Sequence, residues 1–405
     1  MHPQSVPSSR LPWLLTVLST LGPAAIDLYL PAAAGAARSL GASPIEMQQV
    51  LSAYLLGIGC MSLVLGALLD RFGRRPAALW TTALFILASL GCAMATGANE
   101  MVAWRFVQGM AGGSGMVIAL SVVRDLYGSD QALRVIGRAT ACFVIAPVIA
   151  PFLGGWIYLW AGWRATFLAL AGFGTLLLLL LWRMLPETLP VSSRQSLSWT
   201  NLASGYGGLL ANWRFILLVL ATNAPFNGYF LYLVASPIFL GQHLGLPPER
   251  FFLFFAALMG GVAMGSLLAS HCAGRVQRTM QVWVGFAVMA AMAGLNIAFD
   301  IHGGASLLGA GSALMGYAAG WALALPVLTL RLGDLDTRRP GLIASLHSAV
   351  GSLANAVVAS ALAPVVMHAT LAMAMATLML LSVGAAAWAA VSRDVVARPS
   401  SDPRL

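Results

Sequence analysis

Apolar stretches about 20 residues long recur along the whole chain, separated by short breaks that carry arginine. This pattern constrains the fold more than anything else in the sequence. A helix of 20 residues rises about 30 Å, which matches the hydrocarbon thickness of a bilayer. In lipid such a stretch must satisfy its own backbone hydrogen bonds, and a helix does so within one segment. Twelve stretches qualify: 11–34, 44–69, 77–95, 101–123, 136–159, 165–185, 215–240, 251–270, 280–299, 305–330, 342–366 and 371–391. Composition agrees. Hydrophobic residues make up 59% of the 405 residues and charged residues 9%, against roughly 45–50% and 25% in soluble domains. A soluble surface needs far more charge, and a disordered chain far less apolar content. An outer-membrane barrel would show short alternating strands. The sequence therefore predicts an all-α polytopic membrane protein with 12 transmembrane helices.

The basic residues give the orientation. All 22 are arginine, against 13 acids. With the N-terminus in the cytoplasm, 18 of the 22 fall in cytoplasmic segments; Arg38, Arg164 and Arg250 face the other side, and Arg105 lies inside the fourth stretch. This asymmetry places both termini inside. Single arginines between apolar runs mark topology, so the net charge of +9 does not imply nucleic acid. The first run is longer than a signal-peptide core of roughly 7–15 residues and carries Asp27 and Pro31, so it reads as a permanent span. The longest polar stretch, 186–213, divides the chain into two six-helix halves, 1–185 and 214–405, with the stretch itself a cytoplasmic linker. Cys60, Cys92, Cys142 and Cys272 lie in or beside apolar runs without metal-ligand or disulfide spacing, and read as packing residues.

The turn after the second span reads Gly66-Ala-Leu-Leu-Asp70-Arg71-Phe-Gly73-Arg74-Arg75-Pro76. A plain basic loop requires neither the acid at the helix end nor the two glycines. Gly66 predicts close approach of another helix. Asp70 can pair with an arginine or cap a helix N-terminus. These residues resemble, position by position, the loop signature of the major facilitator superfamily. The turn after the eighth span echoes it weakly: Gly274-Arg275 align with Gly73-Arg74, while His271 stands for Asp70 and Leu267 for Gly66. Three more segments carry the resemblance further. They are Asp27-Leu-Tyr29-Leu-Pro31; Arg105-Phe-Val-Gln108-Gly109 with Val123-Arg124-Asp125; and Ala146-Pro147 through Ala150-Pro151 to Gly154-Gly155, followed by Trp163-Arg164 and Phe167. Together they are similar to the Bcr/CflA group of drug:H+ antiporters. The second half resembles that group by topology alone.

The same residues have chemical reasons of their own. Asp27 lies 17 residues past Arg10, about 25 Å of helix, and a carboxyl so deep is costly enough to mark function by default. The alternative is an acid at a helix end that reaches the outer headgroups. Arg105 needs a partner in either a functional or a structural role, and Gln108 lies one turn away. Pro147 and Pro151 fall on one helix side and predict a kink; Gly154 and Gly155 predict tight packing. In the second half Asn223, Asn227, Tyr229, Tyr232, Tyr317, Trp321, His347 and Asn355 are polar or amphipathic groups within apolar sequence. Each reads either as an interhelical hydrogen-bonder or as a ligand contact, and for His347 pairing to a hydroxyl is the plainer reading.

The resemblance implies a secondary transporter that exports amphipathic small molecules in exchange for protons. It has no cofactor beyond the proton gradient and acts as a single chain in the inner membrane, with a cavity between the halves. It assigns Asp27 and Arg105 to proton coupling. A cytoplasmic gate falls to Gly66, Asp70, Arg71, Gly73, Arg74, Arg75 and Asp125, and an antiporter hinge to Pro147, Pro151, Gly154 and Gly155. The candidate substrate contacts are Tyr29, Tyr54, Gln108, Asn223, Asn227, Tyr317, Trp321, His347 and Asn355. A proton-coupled uptake symporter would use the same parts. A membrane-embedded enzyme or a sensor would need clustered catalytic groups or a soluble domain. No phosphate-binding loop, HExxH, GxSxG or paired metal ligands occur.

Overall fold

The computed structural model describes residues 10–127, 129–194, 199–303, 306–336 and 340–397. Every regular element among them is helical. Eleven helical segments are long and apolar enough to cross a membrane. The chain divides into two compact units, Met1–Ser198 and Trp199–Leu405.

The first unit begins with a broken helix: α1 (Leu11–Ser19), α2 (Leu21–Asp27), a 3-10 turn at Leu30–Ala32, and α3 (Ala33–Leu40). Pro31 has no N–H to continue the ladder, and it lies in the 3-10 turn. Next come α4 (Pro44–Phe72), α5 (Arg74–Met94), α6 (Ala98–Gly112), α7 (Ser114–Leu126) and α8 (Ser129–Met184). Helix α4 starts on a capping box in which Ser43 and Glu46 satisfy each other's backbone N–H. Gly73, at φ 97°, makes the tight turn into α5, a conformation that glycine adopts without steric cost. Gly57 and Gly109 let α4 and α6 touch backbone to backbone; a Cβ on either would strike a carbonyl of the other helix.

The 56-residue run α8 contains one non-helical residue, Gly162 at φ 78°, ψ 176°. The break therefore falls there. Pro147 and Pro151 sit inside helical backbone, and the break at Gly162 falls in the gap expected between the fifth and sixth stretches, 136–159 and 165–185. The fixed proline φ of about −65° is itself helical, whereas only glycine adopts the reversed φ readily. Gly154 packs as expected: its Cβ would collide with the Leu28 carbonyl. Gly155 is buried. Gly66 is a correction. A Cβ there would meet nothing within 4 Å, because this face of α4 is exposed.

The second unit starts with α9 (Trp199–Leu210), a helix inside the stretch read as a polar linker. It continues with α10 (Trp213–Val234), α11 (Ser236–Ile238), a π-helical turn at Phe239–His243, α12 (Phe252–Cys272), α13 (Arg278–Gly303), α14 (Leu307–Gly333) and α15 (Pro340–Val357). A second π-helical turn at Val358–Leu362 leads to α16 (Ala363–Val366) and α17 (Thr370–Ala397). Helix α14 packs against both α12 and α13, and α10 against α17. Gly261 and Gly265 bring α12 onto the backbone of α14 at Met315 and Ala319. The turn after α12 repeats that after α4: Gly274 also has positive φ, at 75°. Cys60, Cys92 and Cys272 are free thiols; the side chain of Cys142 lies outside the described residues.

Candidate functional site

The buried polar centre of the first unit follows from the broken first helix. The Tyr29 N–H bonds the Ile26 carbonyl at 3.2 Å in the tighter 3-10 pattern, which leaves the Ala25 carbonyl without its i+4 donor. Arg105 on α6 fills that vacancy: its Nη1 donates to Ala25 O at 3.0 Å and to Gln108 Oε1 at 2.7 Å. Gln108 Nε2 donates to Ser89 Oγ at 2.7 Å, and Ser89 donates to the Phe85 carbonyl. Around the guanidinium stand three rings: Tyr54 at 4.5 Å, Tyr29 at 5.1 Å and Phe167 at 5.7 Å. Planar guanidinium is suited to such a cage because it stacks on ring faces while donating in its plane. Arg105 is 0% exposed, and its Nε and Nη2 have no partner among the described residues. Tyr54 is pinned by a bond from its hydroxyl to Gly22 O at 2.9 Å. The Tyr29 hydroxyl is unbonded.

Asp27 ends α2 and is 7% exposed. Among the described residues its carboxyl has neither a hydrogen bond nor an ion pair. Arg105 is therefore not its salt-bridge partner. The two are linked through the chain instead: Arg105 grips a carbonyl two residues before Asp27. The structure thus joins Tyr29, Tyr54, Arg105 and Gln108 in one cluster and sets Asp27 at its margin.

A second cluster forms where α4 turns into α5. Arg74 Nη1 donates to Asp70 Oδ1 at 2.9 Å and to Leu69 O at 2.9 Å; its Nε donates to Asp125 Oδ2, near the end of α7, at 3.0 Å. The Asp125 side chain is 23% exposed and that of Asp70 46%, so the bond to Asp125 is the better shielded. Arg75 Nη2 donates to the carbonyl of Trp182, near the end of α8, at 2.8 Å. Arg71 is exposed, with its guanidinium 5.5 Å from the Phe72 ring.

The sequence reading missed Glu187 and Thr188. Glu187 Oε1 accepts from the Arg74 backbone N–H at 2.9 Å, so it caps α5 across 113 residues of sequence. It also accepts from the N–H groups of Thr188 and Leu189, and Oε2 lies 3.7 Å from Arg194. The Thr188 hydroxyl donates to Asp125 Oδ2 at 2.7 Å. Gly73 leaves room for this cap, since a Cβ there would collide with the Glu187 carboxylate. One sequence signal was present: an acid after Pro186 in a stretch otherwise read as spacer.

In the second unit, two expected cavity residues turn inward to brace a helix. Pro225 interrupts the α10 ladder. The Tyr317 hydroxyl donates to Pro225 O at 3.0 Å, and Trp321 Nε1 to Thr222 O at 3.2 Å. Tyr232 accepts from Asn296 Nδ2 at 2.8 Å. The hydroxyl partner expected for His347 is not found; its Nε2 is buried without a partner among the described residues. Asn227 and Asn355 likewise each have an unbonded buried Oδ1.

The family model described as Major Facilitator Superfamily matches residues 13–359. The chain belongs to the Major Facilitator Superfamily. Its relatives in that superfamily include the uncharacterized MFS-type transporter YdgK of Bacillus subtilis, 32% identical over 65% of this chain and 66% of that one. Multidrug resistance protein MdtL of Klebsiella pneumoniae is 29% identical over 78% of this chain and 81% of that one. The bicyclomycin resistance protein homolog of Haemophilus influenzae is 28% identical over 68% and 69%. The last two names bear out the resemblance to the Bcr/CflA group. A solved structure of a bacterial homolog of the human lysosomal transporter Spinster covers 97% of this chain and 99% of its own at a TM-score of 0.72 and 17% identity, which places both in one fold. This superfamily member is a multi-pass membrane transporter, not an enzyme.

Proposed function

We propose that the protein exports amphipathic small molecules, drugs among them, across the inner membrane in exchange for protons. The observation that carries this reading is a carboxyl, Asp27, buried in the membrane-spanning region with no polar partner among the described residues, two residues past the carbonyl that Arg105 grips from its aromatic cage. A buried carboxyl without a partner is stable there chiefly when neutral, so proton loss must be offset by something that arrives. A substrate with hydrogen-bond donors or positive charge is such a group. Proton and substrate then favour opposite states of one site, and that competition is the thermodynamic requirement of exchange. The names of the relatives, multidrug resistance and bicyclomycin resistance, support drugs as substrates and export as the direction.

The rest of the reading follows from the arginine pattern and span lengths. The 40-residue segment Ile145–Met184 is about 60 Å of helix, twice a bilayer core. Broken at Gly162, it makes two spans and brings the count to twelve, six on each side of the stretch 186–213. Both termini and that stretch face the cytoplasm. Asp70, Arg74 and Asp125 form a cytoplasmic lock, and Pro147, Pro151, Gly154 and Gly155 a tightly packed hinge. The transporter works as a monomer with no cofactor.

The test is dye or drug efflux from proteoliposomes under an imposed pH gradient, native against Asp27→Asn. The native protein drives efflux. The variant abolishes gradient-driven efflux and retains some substrate binding. A variant that exports every tested substrate at the native rate would move the coupling proton elsewhere.

A further inference from the structure

Helices α10 and α15 of the second unit pack against each other and run in the same direction, as contacts before, along and beyond them show. On α9, ahead of α10, the Tyr206 hydroxyl lies 3.2 Å from Ser345 Oγ near the start of α15. Midway, Asn223 lies against Gly351, where an added Cβ would come within 2.7 Å of Asn223 Oδ1. Beyond their ends, His243 Nε2 meets the Met367 carbonyl at 2.8 Å. One turn past the Asn223–Gly351 contact come Asn227 on α10 and Asn355 on α15, at the same level. One turn before Gly351 comes His347.

The hydrogen bonds of the two α10 asparagines fix which way their amides point. Asn223 Nδ2 donates to Val219 O at 3.0 Å, and Asn227 Nδ2 to Asn223 O at 2.9 Å. Both donors are thus directed back onto their own helix, four residues earlier. Each amide presents its oxygen instead. Asn227 is 2% exposed, and its Oδ1, like Asn355 Oδ1, has no partner among the described residues. A buried acceptor without a donor is costly, and such groups in native proteins have a reason. Here two unpartnered amide oxygens lie one turn past the Asn223–Gly351 contact, one on each helix. The Phe226 ring, one turn from Asn223 on the same face, stands 5.1 Å from Trp321 and 5.0 Å from Tyr229. Phe226, Asn223 and Asn355 are half-buried, so the seam is open at its edge.

We propose that the seam between α10 and α15 is a recognition site for aromatic amines: amino N–H groups attached to the ring donate to Asn227 Oδ1 and Asn355 Oδ1, and the ring plane rests against Phe226. The site rests on the export reading given above and assigns part of its selectivity to hydrogen-bond donors on the substrate. An unbonded buried acceptor discriminates strongly, because a ligand that lacks the donor leaves it unpaired.

Two acridine dyes test this with charge and ring system held constant. Proflavine carries two primary amino groups; acridine orange carries dimethylamino groups in the same places. Equilibrium dialysis of each against the purified full chain in detergent, corrected by protein-free micelles, should give proflavine about tenfold tighter binding (one decade being about 1.4 kcal/mol). Asn227→Leu and, separately, Asn355→Leu should each reduce that preference to about twofold or less. The native comparison needs no variant, so a misfolded mutant leaves the test intact. Equal affinities, tighter acridine orange or no binding of either dye by the native protein overturns the site, as does an undiminished preference in both well-folded variants. Gradient-driven efflux of the same dyes is scored separately. Efflux without donor preference sinks the seam and leaves export standing. Preference without efflux does the reverse.

Discussion

Removing the Glu187 carboxylate should release the strap that follows α8 and expose it to protease. Of the bonds that Glu187 accepts, one reaches a distant element, from the Arg74 N–H to Oε1 at 2.9 Å; those from the Thr188 and Leu189 N–H groups are local, and the Thr188 hydroxyl keeps its own bond to Asp125 in the variant. A hydrogen bond to a charged group contributes about 1.5–3 kcal/mol. A carboxylate at a helix N-terminus adds about 0.3–1 kcal/mol; the pair with Arg194 at 3.7 Å lies within the strap and adds nothing to its docking. Together Glu187→Ala should cost about 2–4 kcal/mol of local docking. At about 1.4 kcal/mol per decade, the open population rises on the order of 30- to 1,000-fold. Glu187→Gln keeps an acceptor and loses the charge, so it should cost about 1 kcal/mol and raise opening about fivefold. The assay is limited trypsin digestion of the protein in detergent, following cleavage after Arg194 with protease dilute enough that reclosing outpaces cutting. Native-rate cleavage in Glu187→Ala would refute the reasoning, and so would equal acceleration in the Gln and Ala variants.

Other perturbations separate the remaining groups. In a thermal-stability double-mutant cycle, Arg74→Ala with Asp125→Ala should show a coupling of about 1–2 kcal/mol, and Arg74→Ala with Asp70→Ala about 0.5 kcal/mol or less, because Asp70 is the more exposed partner. Asp70→Asn should weaken transport with normal membrane insertion and raise labelling of cavity cysteine probes from the cytoplasm; unchanged transport and labelling together would reduce the cluster to a topology signal. Arg105→Lys keeps the charge but loses the planar fork and ring stacking, so dye efflux should fall at least tenfold while insertion is normal; native-rate efflux would show that charge alone suffices. Reporter fusions after Arg194 and at the C-terminus should both report cytoplasm, and a signal from the other side at either point would overturn the twelve-span topology.

What could be read from the sequence was local. The acid, Gly73 and the arginines of the 66–76 turn are neighbours in sequence, so their arrangement followed from helix geometry and the sterics of one turn. Arg105 with Gln108 was legible for the same reason, being one helical turn apart. Glu187 was not, because its partner lies 113 residues away and its own surroundings look like spacer. The break at Gly162, which adopts a reversed φ, was legible as the gap between the stretches 136–159 and 165–185. Tyr317 and Trp321 looked like ligand contacts because periodicity cannot show which carbonyls of another helix their donors reach, here those of Pro225 and Thr222.

The two copies of the repeated turn show how backbone and chemistry part company. Gly73 and Gly274 both have positive φ, so each half retains the tight bend that glycine permits. In the first copy Arg74 ties Asp70, Asp125 and the Leu69 carbonyl to one guanidinium, and Glu187 caps the helix that begins there. In the second, His271 stands where the acid would be, and Arg275 is exposed with no ion pair among the described residues. The bend survives because it is needed to fold either half, since two helices joined by so short a connection require it. The charge network is not needed to fold, because the second half bends without it. A network kept in one copy and lost from its structural twin is therefore better explained by what the turn must do than by how it must fold, in keeping with the cytoplasmic lock proposed above.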